Sequence, residues 1–169
     1  MNPLRFPLAV SISLAVSSVS GFALAAGGHS YPFGAPGKAA EATRSIAVNL
    51  ADNYYEPDAI SVKPGETIRF VLKNSGEFQH EFSINTLAAH VEHRKEMAAM
   101  ANMDHAGMDH SQPGAAKPMS HDDPNMVILE PGETKELIWK FTAAMEIEFA
   151  CSIPGHYESG MVGRVEFAK

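Results

Sequence analysis

Three potential metal ligands follow one another at equal spacing near the C-terminus. Cys151, His156 and Met161 are each five residues apart, and Pro154-Gly155 lies between the first two. Thiolate and thioether sulfur favour Cu(I), whereas imidazole serves both oxidation states of copper. A trigonal site of two histidines and one cysteine, with a weak axial methionine, is the arrangement of mononuclear electron-transfer copper. The spacing predicts that one sharply turned loop supplies three of these four ligands.

The second histidine of such a site must come from elsewhere in the chain. His80 lies in Phe78-Gln-His-Glu-Phe82, at the start of a predicted strand. The other candidates lie in an N-terminal segment or in a long insertion, and a precise site needs a rigid frame. We therefore predict that His80 completes the site. The alternative is that all four are ordinary core or turn residues, since a free cysteine packs as a small hydrophobe.

The N-terminus predicts export. Arg5 precedes a mostly apolar run over residues 8–24, and Ala23-Leu24-Ala25 has the small-residue pattern of a cleavage site. We assign residues 1–25 to a signal peptide, because the run is short for a membrane anchor and contains serines. No later stretch is apolar enough to cross a bilayer, so we expect no membrane insertion after cleavage.

Export to the periplasm raises a question about the only cysteine of the chain, Cys151. An unpaired thiol in an oxidising compartment is exposed to oxidation and to mixed disulfides. A lone cysteine there can be buried and inert, reactive, or held by a metal. Ligation of copper as a thiolate would answer the question.

Composition indicates one acidic domain. The chain has 169 residues, a formal charge of −7 and 45% apolar residues, enough for one domain with a core. The negative charge argues against nucleic acid as a partner and favours cations or a basic protein surface.

The hydrophobic pattern predicts an all-β domain over residues 43–169, preceded by a flexible arm over residues 26–42. The arm is rich in Gly, Ala and Pro, with Tyr31 and Phe33 as docking points. Apolar residues at alternate positions predict strands near 43–50, 60–62, 67–72, 78–84, 126–129, 135–141, 146–151 and 162–167. Pro-Gly-Glu-Thr occurs at 64–67 and 131–134, which predicts the same turn twice. Short strands with frequent turns indicate an antiparallel sandwich or barrel.

Several of these segments resemble one family. They are Tyr55-Glu-Pro57, Ile60-Ser-Val-Lys-Pro-Gly-Glu-Thr67, His80-Glu-Phe82, and Cys151-Ser-Ile-Pro-Gly-His156 followed by Met161. With them the chain resembles the cupredoxins, the small copper proteins related to plastocyanin, azurin and auracyanin. The resemblance implies a Greek-key β-sandwich with copper at one end. It departs from many members at Glu81, where Asn or Ser helps to join the two ligand loops, so the hydrogen bonds around the metal are expected to differ.

Residues 86–125 do not fit a strand pattern and form an insertion rich in methionine and histidine. Residues 86–103 contain helix formers without Gly or Pro, whereas residues 104–125 resemble a loop. Five of the eight histidines and six of the nine methionines lie between His90 and Met126. We interpret the insertion as a further copper-binding element, for which the candidate ligands are His90, His93, Met97, Met100, Met103, His105, Met108, His110, Met119 and His121.

Other interpretations of these residues stay open. Methionines on a helix often belong to the core, so Met97 and Met100 are equally consistent with packing. His29 is a weaker candidate ligand for Cu(II). Cleavage after Ala26 would place it third in the mature chain, the position at which an N-terminal chelate forms, whereas cleavage after Ala25 would not.

Two functions follow from these features. The insertion favours copper tolerance, and with it the chain resembles periplasmic copper-tolerance cupredoxins of the CopI type. In this role the protein would bind or buffer surplus Cu(I) and Cu(II) in the periplasm, or oxidise surplus Cu(I). The alternative is a dedicated electron carrier to a periplasmic redox protein such as a cytochrome or a copper-handling protein, for which the four ligands suffice. We do not expect an enzyme, although oxidation of Cu(I) stays open, because copper enzymes of this fold use further domains or further fixed ligands.

Overall fold

Two sheets and one helix make up the part of the chain that a computed structural model describes, residues 31–105 and 123–168. The first sheet contains β1 (Gly34–Pro36), β2 (Arg44–Ala51), β3 (Tyr54–Glu56), β5 (Thr67–Asn74) and β8 (Thr134–Phe141). The second contains β4 (Ala59–Val62), β6 (His80–Asn85), β7 (Met126–Leu129), β9 (Glu148–Ala150) and β10 (Val162–Phe167). Helix α1 (Leu87–His105) joins β6 to β7, and a short 3-10 turn covers Ala39–Glu41.

The sheets form the expected all-β sandwich, but their strands are not all antiparallel. The strand orders are β1-β8-β5-β2-β3 and β4-β10-β9-β6-β7. Two neighbouring pairs, β2 with β5 and β4 with β10, are parallel. The chain crosses between the sheets after β3, β4, β5, β7 and β8. It leaves the first sheet after β3 and returns after β4, so that β5 comes to lie beside β2 in the same direction. Strand periodicity alone carries no information about such crossovers.

The two Pro-Gly-Glu-Thr segments form the same turn, as predicted. Gly65 and Gly132 have φ angles of 85° and 80°, which an L side chain rarely adopts and which a type II turn requires at its third position. The following glutamate amides close the turns onto Lys63 O and Glu130 O, both at 3.0 Å. Each turn carries the chain from a strand of the second sheet to a strand of the first, from β4 to β5 and from β7 to β8.

The second half of the segment predicted to be a flexible arm is a sheet edge. Gly34–Pro36 pairs with β8, in the register Gly34↔Phe141. Phe33 is buried and packs against Trp139, with the ring centroids 5.7 Å apart. The arm therefore contributes an aromatic side chain to the core and covers one edge of the first sheet.

Aromatic side chains fill the space between the sheets next to the predicted metal ligands. Phe82 and Phe149 lie on neighbouring strands with ring centroids 5.2 Å apart, and Tyr55 contacts both rings from the first sheet. Gly163 faces Phe149 across β10 and β9. A Cβ at Gly163 would lie 2.1 Å from the Phe149 ring, so this strand position has room only for glycine.

Helix α1 begins where the sequence predicts it. The Thr86 side chain accepts a hydrogen bond from the Ala89 N–H at 3.3 Å, which satisfies one free amide of the first turn. The segment over residues 87–105 contains no Gly or Pro. In the part of the chain that the structure describes, no helix combines the length and the apolar character that a membrane crossing needs.

Some predictions concern residues outside the described ranges. These are the signal peptide over residues 1–25, the first part of the arm, and the candidate ligands His29, Met108, His110, Met119 and His121.

The close contact at Gly163 gives a first prediction. Gly163→Ala should lower the free energy of unfolding by about 1–3 kcal/mol, because the added methyl group must displace the Phe149 ring in a packed core. Urea unfolding of the metal-free protein measures the change. Ser61→Ala, at an exposed position of the neighbouring strand β4, is the control and should change stability by less than about 0.5 kcal/mol. Equal stability of the Gly163→Ala variant and the parent would contradict the packing described here.

Candidate metal centre

The first residue of β6, His80, is completely buried at one end of the sandwich. Its Nε2 lies 2.9 Å from the Asp52 Oδ1 atom, in the turn between β2 and β3. The Asp52 carboxylate also accepts hydrogen bonds from the Glu77 and Phe78 amides. Because a carboxylate accepts and cannot donate, this contact places the His80 proton on Nε2. The Nδ1 atom is then free to act as a ligand.

The loop after β9 carries the other three predicted ligands. Cys151 directly follows β9, and Met161 directly precedes β10. The Cys151 N–H donates to the Met161 carbonyl at 3.2 Å, and the Met161 N–H donates to the His156 carbonyl at 3.0 Å. Gly155, with φ 89°, permits the sharp turn before His156. These bonds close the loop onto itself and hold His156 beside Cys151.

Three donor atoms converge at this point. The Nδ1 atoms of His80 and His156 are 3.2 Å apart, and the Cys151 Sγ atom is 3.4 Å from the His156 Nδ1 atom. The ligand atoms of the three residues all lie within 4.8 Å of one another. Nitrogen and sulfur donors bound to one metal at trigonal angles are roughly 3.5–4 Å apart. The two distances to the His156 Nδ1 atom are a few tenths of an ångström shorter than this, so the donors lie close enough to share one small, thiolate-binding metal ion.

The environment of Cys151 keeps the thiol protonated when no metal is bound. Burial raises the pKa of the Cys151 thiol to about 12, and the nearby Glu81 carboxylate adds to the rise. The Glu81 N–H donates a hydrogen bond to the Cys151 sulfur at 3.4 Å, which lowers the pKa of the thiol and partly offsets this rise. A thiol with such a pKa is a poor nucleophile at neutral pH. Burial therefore disfavours oxidation of the thiol, and binding of a metal as the thiolate would release its proton.

The two histidines differ in access to solvent. His80 is buried, whereas His156 is half-exposed at the end of the sandwich. Burial and the neighbouring His80 ring lower the pKa of His156, since two imidazolium groups at this distance would repel each other. The His156 ring therefore favours the neutral form that binds a metal.

Met161 is completely buried and belongs to the core cluster. Its backbone amide and carbonyl tie it to His156 and Cys151, as described above. The structure thus brings the methionine backbone to the base of the ligand loop.

A buried acid, Glu81, adjoins the three ligands. Its Oε2 lies 3.3 Å from the His93 Nε2 on helix α1, and its carbonyl accepts a hydrogen bond from the Tyr55 hydroxyl at 2.5 Å. Its other carboxylate oxygen, Oε1, has no hydrogen-bond partner among residues 31–105 and 123–168. A buried carboxylate thus lies between the three converging ligands and helix α1.

Four of the additional candidate ligands have described side chains on helix α1. His90 is completely buried, and its two ring nitrogens contact the Glu148 carboxylate at 3.1 Å and the Ser83 hydroxyl at 3.3 Å. Copper binding at His90 would have to displace these partners. His93, Met97 and Met100 are half-buried. Met103 and His105 lie within the helix, and nothing is described of their side chains.

Sequence reasoning missed Asp52 and the partners of Glu81. Asp52 lies in a turn, where aspartate is common for reasons of backbone geometry. Its contact with His80 joins residues 28 positions apart, and no local sequence pattern predicts this contact. Strand alternation places Glu81 and Ser83 on the face of β6 opposite the core residues Phe82 and Ile84, so it does not predict that Glu81 is buried. Helix α1 covers that face, where His93 contacts Glu81 and His90 contacts Ser83.

The sequence matches the profile of one family and several named relatives. The profile of the Cupredoxin-like domain matches residues 15–107. A protein of Pseudomonas aeruginosa named copper-resistant cuproprotein CopI is 50% identical over 150 residues, which cover 81% of this chain and 83% of the relative. A protein of the same name from Rubrivivax gelatinosus is 41% identical over 145 residues, covering 83% and 78%.

Solved structures share the fold. Reduced auracyanin of Roseiflexus castenholzii superposes with a TM-score of 0.55 at 22% identity, over 76% of this chain and 99% of the auracyanin chain. At this identity the likeness concerns the fold alone.

The contact between Asp52 and His80 gives a second prediction. In Asp52→Ala the His80 Nε2–H loses its acceptor, so a mixture of the two neutral ring tautomers should replace a single one. Long-range ¹H–¹⁵N NMR of the metal-free protein at alkaline pH measures the tautomer ratio. Asp52→Asn keeps an acceptor oxygen and should retain the Nε2–H form, and Asp58→Ala, at an exposed aspartate, is the matched control. The same tautomer ratio in Asp52→Ala as in the parent would show that Asp52 does not orient the ring.

Proposed function

The chain belongs to the cupredoxin family, and from that membership we propose that it binds copper in the periplasm and serves copper tolerance. The observation that carries the proposal is the convergence of the Nδ1 atoms of His80 and His156 with the Cys151 sulfur at the end of the sandwich. Relatives at 50% and 41% identity are named copper-resistant cuproproteins, which supports a copper-related function.

In this proposal His80, Cys151 and His156 would hold the metal, with Met161 as a fourth, weaker ligand. Copper bound by such a set supplies one-electron exchange between Cu(I) and Cu(II). The residues around it limit rearrangement: Asp52 orients His80, the loop bonds hold His156, and the Glu81 amide donates to the Cys151 sulfur. A hydrogen bond to the sulfur and the buried surroundings tune the potential.

The insertion is the basis for copper tolerance in this proposal. An electron carrier needs only the four ligands of the centre and does not require a segment rich in methionine and histidine. Thioethers suit Cu(I), and imidazole with carboxylate suits Cu(II). We propose that the loop part of the insertion binds additional copper. The helix part is less available, because His90 and His93 already contact Glu148 and Glu81.

The electron carrier is the alternative to this role. It would predict constitutive expression together with a respiratory chain, whereas copper tolerance predicts induction by copper. An enzymatic role is not proposed. Oxidation of Cu(I) held by the insertion stays an open extension, in which the cupredoxin centre would accept the electron.

Titration with copper gives the third prediction. The mature protein should bind one equivalent of Cu(II) with an intense visible band from the Cys151 thiolate to copper, because a trigonal thiolate site produces such a transition. The band should be absent in Cys151→Ser. Serine is nearly the same size as cysteine, so this variant removes the thiolate while it largely preserves the packing. Near-ultraviolet circular dichroism checks that the variant is folded.

A strong band that is still present in Cys151→Ser would contradict the assignment of Cys151 as the thiolate ligand. The absence of any such band in the copper-loaded parent would sink the proposed centre itself.

Copper stoichiometry gives the fourth prediction. We expect replacement of the candidate ligands at the C-terminal end of helix α1 and after it by alanine to lower the total copper bound per protein and to reduce growth in copper-containing medium, while the Cys151 band persists. The replaced residues are Met103, His105, Met108, His110, Met119 and His121. Metal analysis after dialysis measures the stoichiometry. A matched variant replaces Ser111, Gln112, Lys117 and Ser120, which lie in the same stretch and are weak copper ligands. Unchanged stoichiometry in the ligand variant would remove the basis for copper binding by the insertion.

A further inference from the structure

Helix α1 lies against the loop that carries three of the metal ligands. A groove between them is lined by Arg94 and Ala98 of the helix and by Ser152, Pro154, Gly155 and Glu158 of the loop. The helix belongs to the insertion, which the sequence presents as a copper-binding element. Its contacts with the ligand loop give it a second role.

Arg94 is the main contact of the helix with the loop. Its guanidinium carbon lies 3.7 Å from the centre of the Tyr157 ring, and its Nη1 pairs with the Glu158 carboxylate at 2.6 Å. The Arg94 side chain is only 21% exposed, so the cation–π contact is partly desolvated and stronger than at an open surface. One side chain thus holds two consecutive loop residues.

A second connection reaches the same tyrosine from the sheet. The Tyr157 hydroxyl donates to the Glu148 Oε1 at 3.0 Å, and the same oxygen lies 3.1 Å from the His90 Nδ1. His90 is completely buried and contacts Ser83 with its other ring nitrogen. The ring of Tyr157 is therefore fixed on its face by Arg94 and at its hydroxyl by Glu148.

The position of Tyr157 matters because it directly follows the ligand His156. The Met161 amide donates to the His156 carbonyl, and the Cys151 amide donates to the Met161 carbonyl. A displacement of Tyr157 would therefore be passed through two backbone hydrogen bonds to Met161 and Cys151. The contacts of helix α1 act on the part of the loop that joins the ligands.

We propose that helix α1 is a positioning element for the metal centre, in which Arg94 acts through Tyr157 and Glu158, and His90 acts through Glu148. The copper readouts of this inference rest on the proposed function. The insertion then has two parts with different tasks: the first half of the helix holds the ligand loop in place, and the residues that follow the helix take up additional copper. A variant that lacks the whole insertion would mix the two effects.

The fifth prediction concerns Arg94→Ala, which removes the contacts of helix α1 with Tyr157 and Glu158. In the metal-free protein we expect amide hydrogen exchange over residues 156–160 to become about fivefold to tenfold faster, the change that loss of one partly desolvated cation–π contact brings. In the copper-loaded protein we expect a shifted thiolate-to-copper band and a lower midpoint potential, because greater water access favours the more highly charged Cu(II).

Two further variants serve as controls. Lys95→Ala removes an exposed ion pair with Glu92 on the same helix, one residue from Arg94, and should leave loop exchange, band and potential as in the parent. Tyr157→Phe keeps the ring beneath Arg94 and loses only the bond to Glu148, so its effects should lie between those of the parent and Arg94→Ala.

The outcomes separate this inference from the proposed function. If the amide hydrogen exchange rates over residues 156–160 are the same in Arg94→Ala as in the parent, the inference is overturned, regardless of the copper band and the midpoint potential. Faster exchange with an unchanged band and potential would also overturn it, since the helix would then pack on the loop without positioning the ligands. If the parent shows no Cys151-dependent band, the proposed function is contradicted. The exchange measurement on the metal-free protein would still show whether helix α1 holds the ligand loop.

Discussion

The hydrogen bond from the Glu81 amide to the Cys151 sulfur joins the two parts of the chain on which the centre depends. One part is the start of β6, which supplies His80, and the other is the loop after β9. The strands are neighbours in one sheet, with Ser83 paired to Ala150, so their register decides whether the two ligand groups meet. The buried aromatic layer behind them, with Phe82 stacked on Phe149, holds that register. Rigidity at the site is thus a property of the sandwich as a whole.

The same end of the sandwich carries an unusual concentration of buried polar groups. Glu81, His80 and His90 are completely buried. Burying a polar group without a partner costs free energy, and most of these groups have partners: His80 has Asp52, His90 has Ser83 and Glu148, and Glu81 has His93. The bonds connect the sheet, the ligand loop and helix α1. Hydrogen bonds of this kind hold the candidate ligands in place, so that the charge of a bound metal ion can change with little rearrangement. Electron exchange requires such a rigid site.

Much of the architecture could be predicted from local patterns, because alternating apolar residues report which face of a strand is buried. Eight strands, the helix and both Pro-Gly turns lie where periodicity and turn chemistry place them. The short strands Gly34–Pro36 and Tyr54–Glu56 were not predicted, since three residues carry too little alternation. The parallel pairing of β2 with β5 depends on a crossover and not on either strand. In the site, the three converging ligands were named from spacing and family resemblance, whereas Asp52 and the contacts of Arg94 with the ligand loop became apparent only in the folded chain.

The central claim is that His80, Cys151 and His156 bind one copper ion. Copper K-edge X-ray absorption of the protein loaded with a single equivalent tests it most directly, because the spectrum reports the identity and number of the nearest donor atoms. The account predicts one short sulfur scatterer together with two imidazole nitrogens, with the sulfur lost in Cys151→Ser. A first shell of nitrogen and oxygen alone in the parent protein would contradict it.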